Sequence, residues 1–169
     1  MPGAQRAIAG VADSKTLVAA DRERLATLIR ARAIALALGA ASVHEIGRLN
    51  IYHATALAMR RALRRLALAP DAVLVDGKPI RTLGIVHQAV VDGDARCYSI
   101  ACASIVAKVT RDHLMRLLAR RYPSYGWGEN AGYGTPSHLE ALRQSGLSVH
   151  HRVTFCRSAL GGQLDLHGV

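Results

Sequence analysis

The feature that most constrains this chain is an apolar run that ends on an acid. Ala72-Val73-Leu74-Val75 is followed at once by Asp76-Gly77. A short, continuous apolar run bounded by turn residues reads as a strand covered on both faces. A carboxylate closing such a run is costly unless it meets a metal, a cation or a hydrogen-bond donor. The same residue can equally be the start of a strand-end turn. A second strand-like run, residues 85–91, ends in Asp92-Gly93-Asp94. A small-residue helix from about Ser99 to Arg121 then carries Ser104, Lys108, Arg111 and Asp112. Acids at strand ends beside a polar helix face predict a metal-dependent phosphoryl-transfer site, because two-metal catalysis needs several carboxylates around hard divalent ions.

The rest of the chain supplies elements that can frame such a site. Residues 1–12 read as irregular and Asp13-Ser14-Lys15 as a polar loop. Leu25, Leu28 and Ile29 at helical spacing predict a helix over about residues 19–38, with Gly39 as its stop. Residues 33–38 are uniformly apolar, so this part can instead be a strand. Residues 43–49 read as a connector, and Asn50 as the N-cap of a helix reaching Leu66. The basic side of that helix, with Arg60, Arg61, Arg64 and Arg65, can touch a phosphate backbone or simply be solvated. Ala69-Pro70-Asp71 leads into the first strand, an α/β connection. Residues 122–128 form a turn-rich aromatic loop. Thr135 suits the cap, Pro136 the first position and Gly146 the end of a further helix. The tail, residues 157–169, is Gly-rich and expected to be loosely held.

With 169 residues, half of them apolar, the chain can build one folded domain. Lys and Arg outnumber Asp and Glu by 22 to 12. A net charge of +10 favours a polyanionic partner, although an Arg-rich solvated surface gives the same number. Three cysteines without CxxC spacing point to neither a zinc site nor a disulfide framework, so a reducing cytoplasm is expected. No apolar run approaches a membrane span, and no signal-peptide core follows Met1. Phosphate-loop and dinucleotide-loop glycine patterns, HExxH and Gly-x-Ser-x-Gly are all absent.

Among the twelve acids, Asp21, Glu23, Asp71, Glu140 and Asp165 read as surface, cap or tail positions. Asp94 and Asp112 compete to partner Asp76. Asp112 shares a helix face with Ser104 and Lys108 and can be a structural ion pair. Asp94 follows a strand and a glycine, from which a carboxylate can swing to the same edge, or sit in an exposed turn.

Taken together, the motifs resemble the ribonuclease HII family. The resemblance is carried in order by Ala12-Asp13-Ser14-Lys15, Glu45-Ile46-x-x-Leu49-Asn50-Ile51, Leu74-Val75-Asp76-Gly77 and Gly93-Asp94. It continues through Ala103-Ser104-Ile105-Val106-Ala107-Lys108-Val109-Thr110-Arg111-Asp112, Tyr122-Pro123-x-Tyr125-Gly126, Gly132-Tyr133-Gly134-Thr135 and His151-Arg152-x-x-Phe155. It implies an α/β fold: a ribonuclease-H-like mixed sheet flanked by helices, over residues 1–156. It implies an endonuclease that cuts RNA in RNA–DNA hybrids and at ribonucleotides embedded in DNA. Such enzymes use Mn²⁺ or Mg²⁺ and leave 5′-phosphate and 3′-hydroxyl ends. A monomer with no membrane association is expected. By motif, Asp76 and Asp94 are the third and fourth of four metal-binding carboxylates. Tyr133 stacks under a sugar at the substrate junction, a use of aromatic contact suited to nucleic acid. Lys15, Ser104 and Lys108 are implied in substrate binding, and Asp112, Arg111, His151 and Arg152 in support.

The sequence departs from that family pattern in four places. The family's opening Asp-Glu-x-Gly-Arg-Gly strand, source of the first two carboxylates, would precede Met1. The expected cause is either a start codon placed too far downstream, favoured because the remaining pattern is intact, or a truncated remnant of the family. On that expectation the sheet lacks its first strand or strands. Asp92 replaces a usual Lys, Asn130-Ala131 a usual His-Lys, and Gly47 a usual acid.

Overall fold

The computed structural model describes residues 7–161. The element order is α1 (Ala19–Arg32), α2 (Val43–Arg65), β1 (Leu74–Asp76), β2 (Gln88–Val90), α3 (Gly93–Arg96), α4 (Tyr98–Arg121), α5 (Trp127–Asn130), α6 (Pro136–Ser145) and α7 (Val153–Ala159). At α6 the predicted chemistry is found. Thr135 Oγ1 accepts from the His138 amide at 3.3 Å, Pro136 opens the helix and Gly146 closes it at φ 71°.

Three boundaries differ from expectation. Helix α1 stops at Arg32, where Ala33 turns extended (φ −66°, ψ 133°). Residues 33–38 are neither helix nor paired strand among the described residues. They run with Ile34, Leu36 and Leu38 turned outward over a cleft of about 490 Å³, whose walls include Ile8, Ile29, Cys102 and Val106. Residues 43–49, expected as a connector, are helical. Ser42 Oγ accepts from the Glu45 amide while Glu45 Oε2 accepts from the Ser42 amide at 2.8 Å, a reciprocal capping box. Asn50 then interrupts α2 with φ 63°, and its Oδ1 accepts from the His53 amide at 3.2 Å. Thus the predicted cap at Asn50 is present, but it starts the second half of a kinked helix. The expected tail is in part ordered: α7 runs to Ala159 and Leu160 is buried. Residues 162–169 lie outside the described residues.

The strands pair in parallel, Leu74 with Gln88, Val75 with Ala89 and Asp76 with Val90. The second strand is shorter than the predicted residues 85–91 because its first half belongs to the crossover. There His87 accepts from the Ile80 amide through Nε2 and donates from Nδ1 to the Ile85 carbonyl, and Leu83 is fully buried. The expectation that β1 is covered on both faces fails. Val75 is buried, but Leu74 and Asp76 are exposed on the other face. The described sheet has two strands, and Leu74 on that face is 39% exposed.

Backbone proximity divides the chain into two compact units. The first holds the described residues up to Gly39 together with Arg60–Thr110; the second holds Ala40–Met59 and the residues from Arg111 onward. The core of the first unit packs Leu25, Ala26 and Ile29 of α1 against Ile105, Val106 and Val109 of α4. The core of the second packs Tyr125, Trp127, Leu142 and Leu160.

Candidate active site

In the first unit, parallel pairing brings the C-terminal ends of β1 and β2 side by side. Asp76 ends β1, opposite Val90. After β2 the chain turns through Asp92 in the left-handed region (φ 54°, ψ 41°) and enters α3 at Gly93. That turn aims the Gly93 N–H at Asp76, whose Oδ1 accepts it at 2.8 Å. Any side chain here would crowd its neighbours. A Cβ on residue 93 would lie 2.7 Å from Ile100 Cδ1 and 3.0 Å from Asp76 Oδ1. Asp94, the next residue, is buried. The Asp92-Gly93-Asp94 cluster is therefore a turn into a short helix, with its second acid inside.

Asp94 Oδ2 accepts from Lys15 Nζ at 3.0 Å. The Lys15 stem remains 76% exposed, so the ammonium is anchored at one point while the side chain stays accessible. Its loop is built by Asp13, whose Oδ1 accepts from the Lys15 amide at 2.9 Å and whose carbonyl accepts from Thr16. Ser14 is buried and shares a 2.9 Å hydrogen bond with Ser104 of α4. Ser104 thus acts on the loop rather than standing alone, and Lys108 lies half-buried one turn further along the same helix face.

The electrostatics follow from this geometry. The hydrogen bond from Lys15 holds the Asp94 carboxyl below its usual range, against the opposing effect of burial. The same bond raises Lys15, helped by the negative charges of Asp13, Asp94 and Asp76. Three carboxylates therefore act on one cation. Asp13, read from the sequence as part of a polar loop, is the residue that shapes the turn, since an Asp side chain bonds the backbone two residues on. The carboxylate oxygens of Asp76 and Asp94 are the hard donors that Mg²⁺ and Mn²⁺ prefer. As a ligand set they are partial. Among the described residues no group of three or more His, Cys, Asp or Glu side chains is placed to hold a metal.

The second unit carries Tyr133, Arg111, Asp112, His151 and Arg152. Tyr133 is 57% exposed, and the Arg111 guanidinium lies 5.0 Å from its ring centroid. Asp112 follows Arg111 on α4 and is half-buried. His151, implied in support, lies inside the core of this unit. It is buried between Tyr125 (ring centroids 4.6 Å apart), Trp127 (5.0 Å) and His138 (5.4 Å). Arg152 turns its guanidinium onto the Phe155 ring at 3.9 Å. The structure therefore gathers Asp76, Asp94, Lys15 and Ser104 in one unit, groups Tyr133 with Arg111 in the other, and puts His151 in a core. Sequence reasoning also missed Asn130. Its Nδ2 donates to the Tyr125 carbonyl at 2.8 Å and its Oδ1 accepts from the Gly132 amide at 2.7 Å.

Comparison with known proteins gives the same grouping a family. Residues 4–158 match the family described as ribonuclease HII. A ribonuclease HII from Granulibacter bethesdensis is 56% identical over 144 residues, covering 85% of this chain and 66% of the relative. One from Thermosynechococcus vestitus is 51% identical over 157 residues, covering 92% and 73%. The crystal structure of ribonuclease H2 from Pyrococcus horikoshii OT3 superposes with a TM-score of 0.70 at 24% identity, covering 90% of this chain and 81% of that one. That likeness shows the α/β fold expected from the motifs. The chain spans about two thirds to three quarters of the length of these curated relatives. Since the family match takes in both strand-end acids, the Lys15 loop and the Tyr133 turn, the chain belongs to the ribonuclease HII family.

Proposed function

We propose that this chain serves as an endonuclease on RNA–DNA hybrids and on ribonucleotides embedded in DNA. Residues 1–156 act as its catalytic domain, and water cleaves the phosphodiester to leave 5′-phosphate and 3′-hydroxyl ends. The observation that carries this reading is the joining of Asp76 and Asp94 through Gly93, at the ends of two parallel strands and beside an anchored lysine. Asp76 and Asp94 are the metal ligands in this reading, with Mn²⁺ or Mg²⁺ as the ion. A bound divalent ion supplies charge stabilisation at the phosphate and lowers the pKa of a bound water. Lys15 offers the outer donors of its ammonium to a phosphate while one remains on Asp94. Ser104 holds the Lys15 loop through Ser14, Lys108 adds positive charge on the same helix face, and Tyr133 presents its ring to a sugar. The protein works as a monomer in the cytoplasm.

A second reading is favoured by one specific observation. Lys15 occupies an oxygen of Asp94, and the described residues complete no three-ligand metal group. The polypeptide of this sequence would then hold hybrids without cutting them efficiently. The experiment is cleavage of an end-labelled duplex containing one ribonucleotide, in Mn²⁺, with Asp76→Asn as control. The first reading expects cleavage by the polypeptide that is lost in Asp76→Asn. Robust cleavage abolished by Asp76→Asn eliminates the second reading. Salt-sensitive binding that survives Asp76→Asn without cleavage supports it. Neither binding nor cleavage removes both.

A further inference from the structure

Tyr133 is presented by a turn whose backbone is heavily determined. Asn130 fixes it at three points: its Nδ2 on the Tyr125 carbonyl, its Oδ1 under the Gly132 amide, and its carbonyl accepting from the Tyr133 amide at 2.9 Å. Gly132 has φ +76°, and a Cβ there would lie 3.0 Å from Met115 Cε. Met115 and Arg111 are four residues apart on α4, so one helix face receives both the turn and the ring. None of these contacts fixes the rotation of the Tyr133 ring about its own side-chain bonds. The Arg111 guanidinium lies over the ring itself, 5.0 Å from its centroid.

We infer that Arg111 is a positioning residue for Tyr133: stacked on the ring, it holds the tyrosine at the angle from which its exposed part meets the sugar of an RNA-containing duplex. This rests on the stacking role given to Tyr133 above. A guanidinium suits the task because it is planar and lies flat on an aromatic face, which an ammonium cannot do. The alternative use of an exposed arginine is a phosphate contact made directly, and the two uses have different signatures. A positioning residue changes affinity only while Tyr133 is present and leaves the salt dependence alone. A phosphate contact changes affinity independently of Tyr133 and contributes about one unit to the slope of log K against log salt.

The test measures binding of the full chain to a labelled duplex with one ribonucleotide, by anisotropy across a salt series. The proteins are wild type, Arg111→Gln, Arg111→Lys, Tyr133→Leu and the Arg111→Gln/Tyr133→Leu double variant. Expected for Arg111→Gln is a loss of about two- to fivefold, the range for an exposed cation–aromatic contact. Arg111→Lys should recover part of it, the double variant should bind no worse than Tyr133→Leu, and the salt slope should stay unchanged. Additive losses with a slope lower by about one would overturn the inference. The Tyr133 ring-proton resonances of the free protein give a second readout without nucleic acid. They should shift in Arg111→Gln and shift less in Arg111→Lys, and unchanged resonances would equally overturn it. If the wild type shows no preference for the ribonucleotide over an all-DNA duplex, the functional reading of Tyr133 fails, and the resonances alone decide whether Arg111 positions the ring.

Discussion

Mild acid should loosen the second unit through one histidine. His151 Nδ1 accepts from the Ser148 amide at 2.9 Å, so the neutral ring carries its proton on Nε2. That nitrogen is buried without a hydrogen-bond partner among the described residues, and the ring meets Tyr125 nearly edge-on, at 68°. Burial chiefly, then the neighbouring His138 and His150, push the His151 pKa down to about 4, partly offset by hydrogen bonding at Ser148. The unfolded ring titrates near its ordinary value of 6.5. With the folded pKa below the unfolded one, the unfolded chain takes up the proton first. The folded state keeps its full advantage above pH 6.5 and loses it progressively as pH falls from 6.5 towards 4. Between pH 7 and pH 5 the linkage relation gives a loss of about 2 kcal/mol. In urea that is roughly a 1 M fall in the midpoint for a slope of about 2 kcal/mol/M. The assay is direct, because the single tryptophan of the chain, Trp127, is 1% exposed and lies in the same cluster, 5.0 Å from His151 ring to ring. Its fluorescence reports unfolding of this unit. In His151→Leu the acid-induced fall should shrink by that amount, whatever the variant's stability at pH 7. An equal fall in both proteins would refute the argument and place the acid sensitivity elsewhere.

Three further outcomes follow from packing and capping. Gly93→Ala should destabilise by about 1–3 kcal/mol in urea melts, the usual cost of overpacking. Ile100 can rotate its methyl away, but Asp76 cannot retreat without lengthening its bond to the residue 93 amide. Thr135→Ala removes the side chain that caps α6 and should cost about 1 kcal/mol, read by Trp127 fluorescence. Leu25→Ala empties a fully buried position in the core of the first unit and should cost about 2–5 kcal/mol, read by circular dichroism at 222 nm.

What the sequence made legible was chemistry that is local. Thr135, Pro136 and Gly146 bound a helix because a cap needs only neighbours three residues away. The same holds for Asn50, and the Ser42–Glu45 capping box was equally readable but was taken for a connector. Asp76 stood out because its cost is visible in the run before it. Residues 33–38 were undecidable by periodicity, since whether an apolar run becomes a strand depends on a partner that local spacing does not specify. The burial of His151 was not legible for a related reason. The polar string His150-His151-Arg152 gives no hint that residues from the 122–138 region enclose the middle ring. Its burial is a tertiary fact.

The contest between Asp94 and Asp112 shows where the limit lies. Asp94 stands between Gly93 and Ala95 with Arg96 two residues on, and Asp112 stands beside Arg111, so each has a cation near in sequence and local rules do not choose between them. What separates them is non-local: the parallel register that brings the ends of β1 and β2 together, and the 17 positions between Asp76 and the Gly93 amide that binds it. The missing Cβ at Gly93 lets that approach happen, and it leaves Asp94 as the next side chain, turned inward toward Lys15. An ammonium has three N–H donors, and Asp94 takes one at 3.0 Å while Asp13 stands off at 3.9 Å. A lysine anchored this way keeps donors facing outward from an exposed stem. Its role as counter-ion to Asp94 and its proposed role toward a phosphate therefore use different hydrogens of the same group, and neither requires the other to be given up.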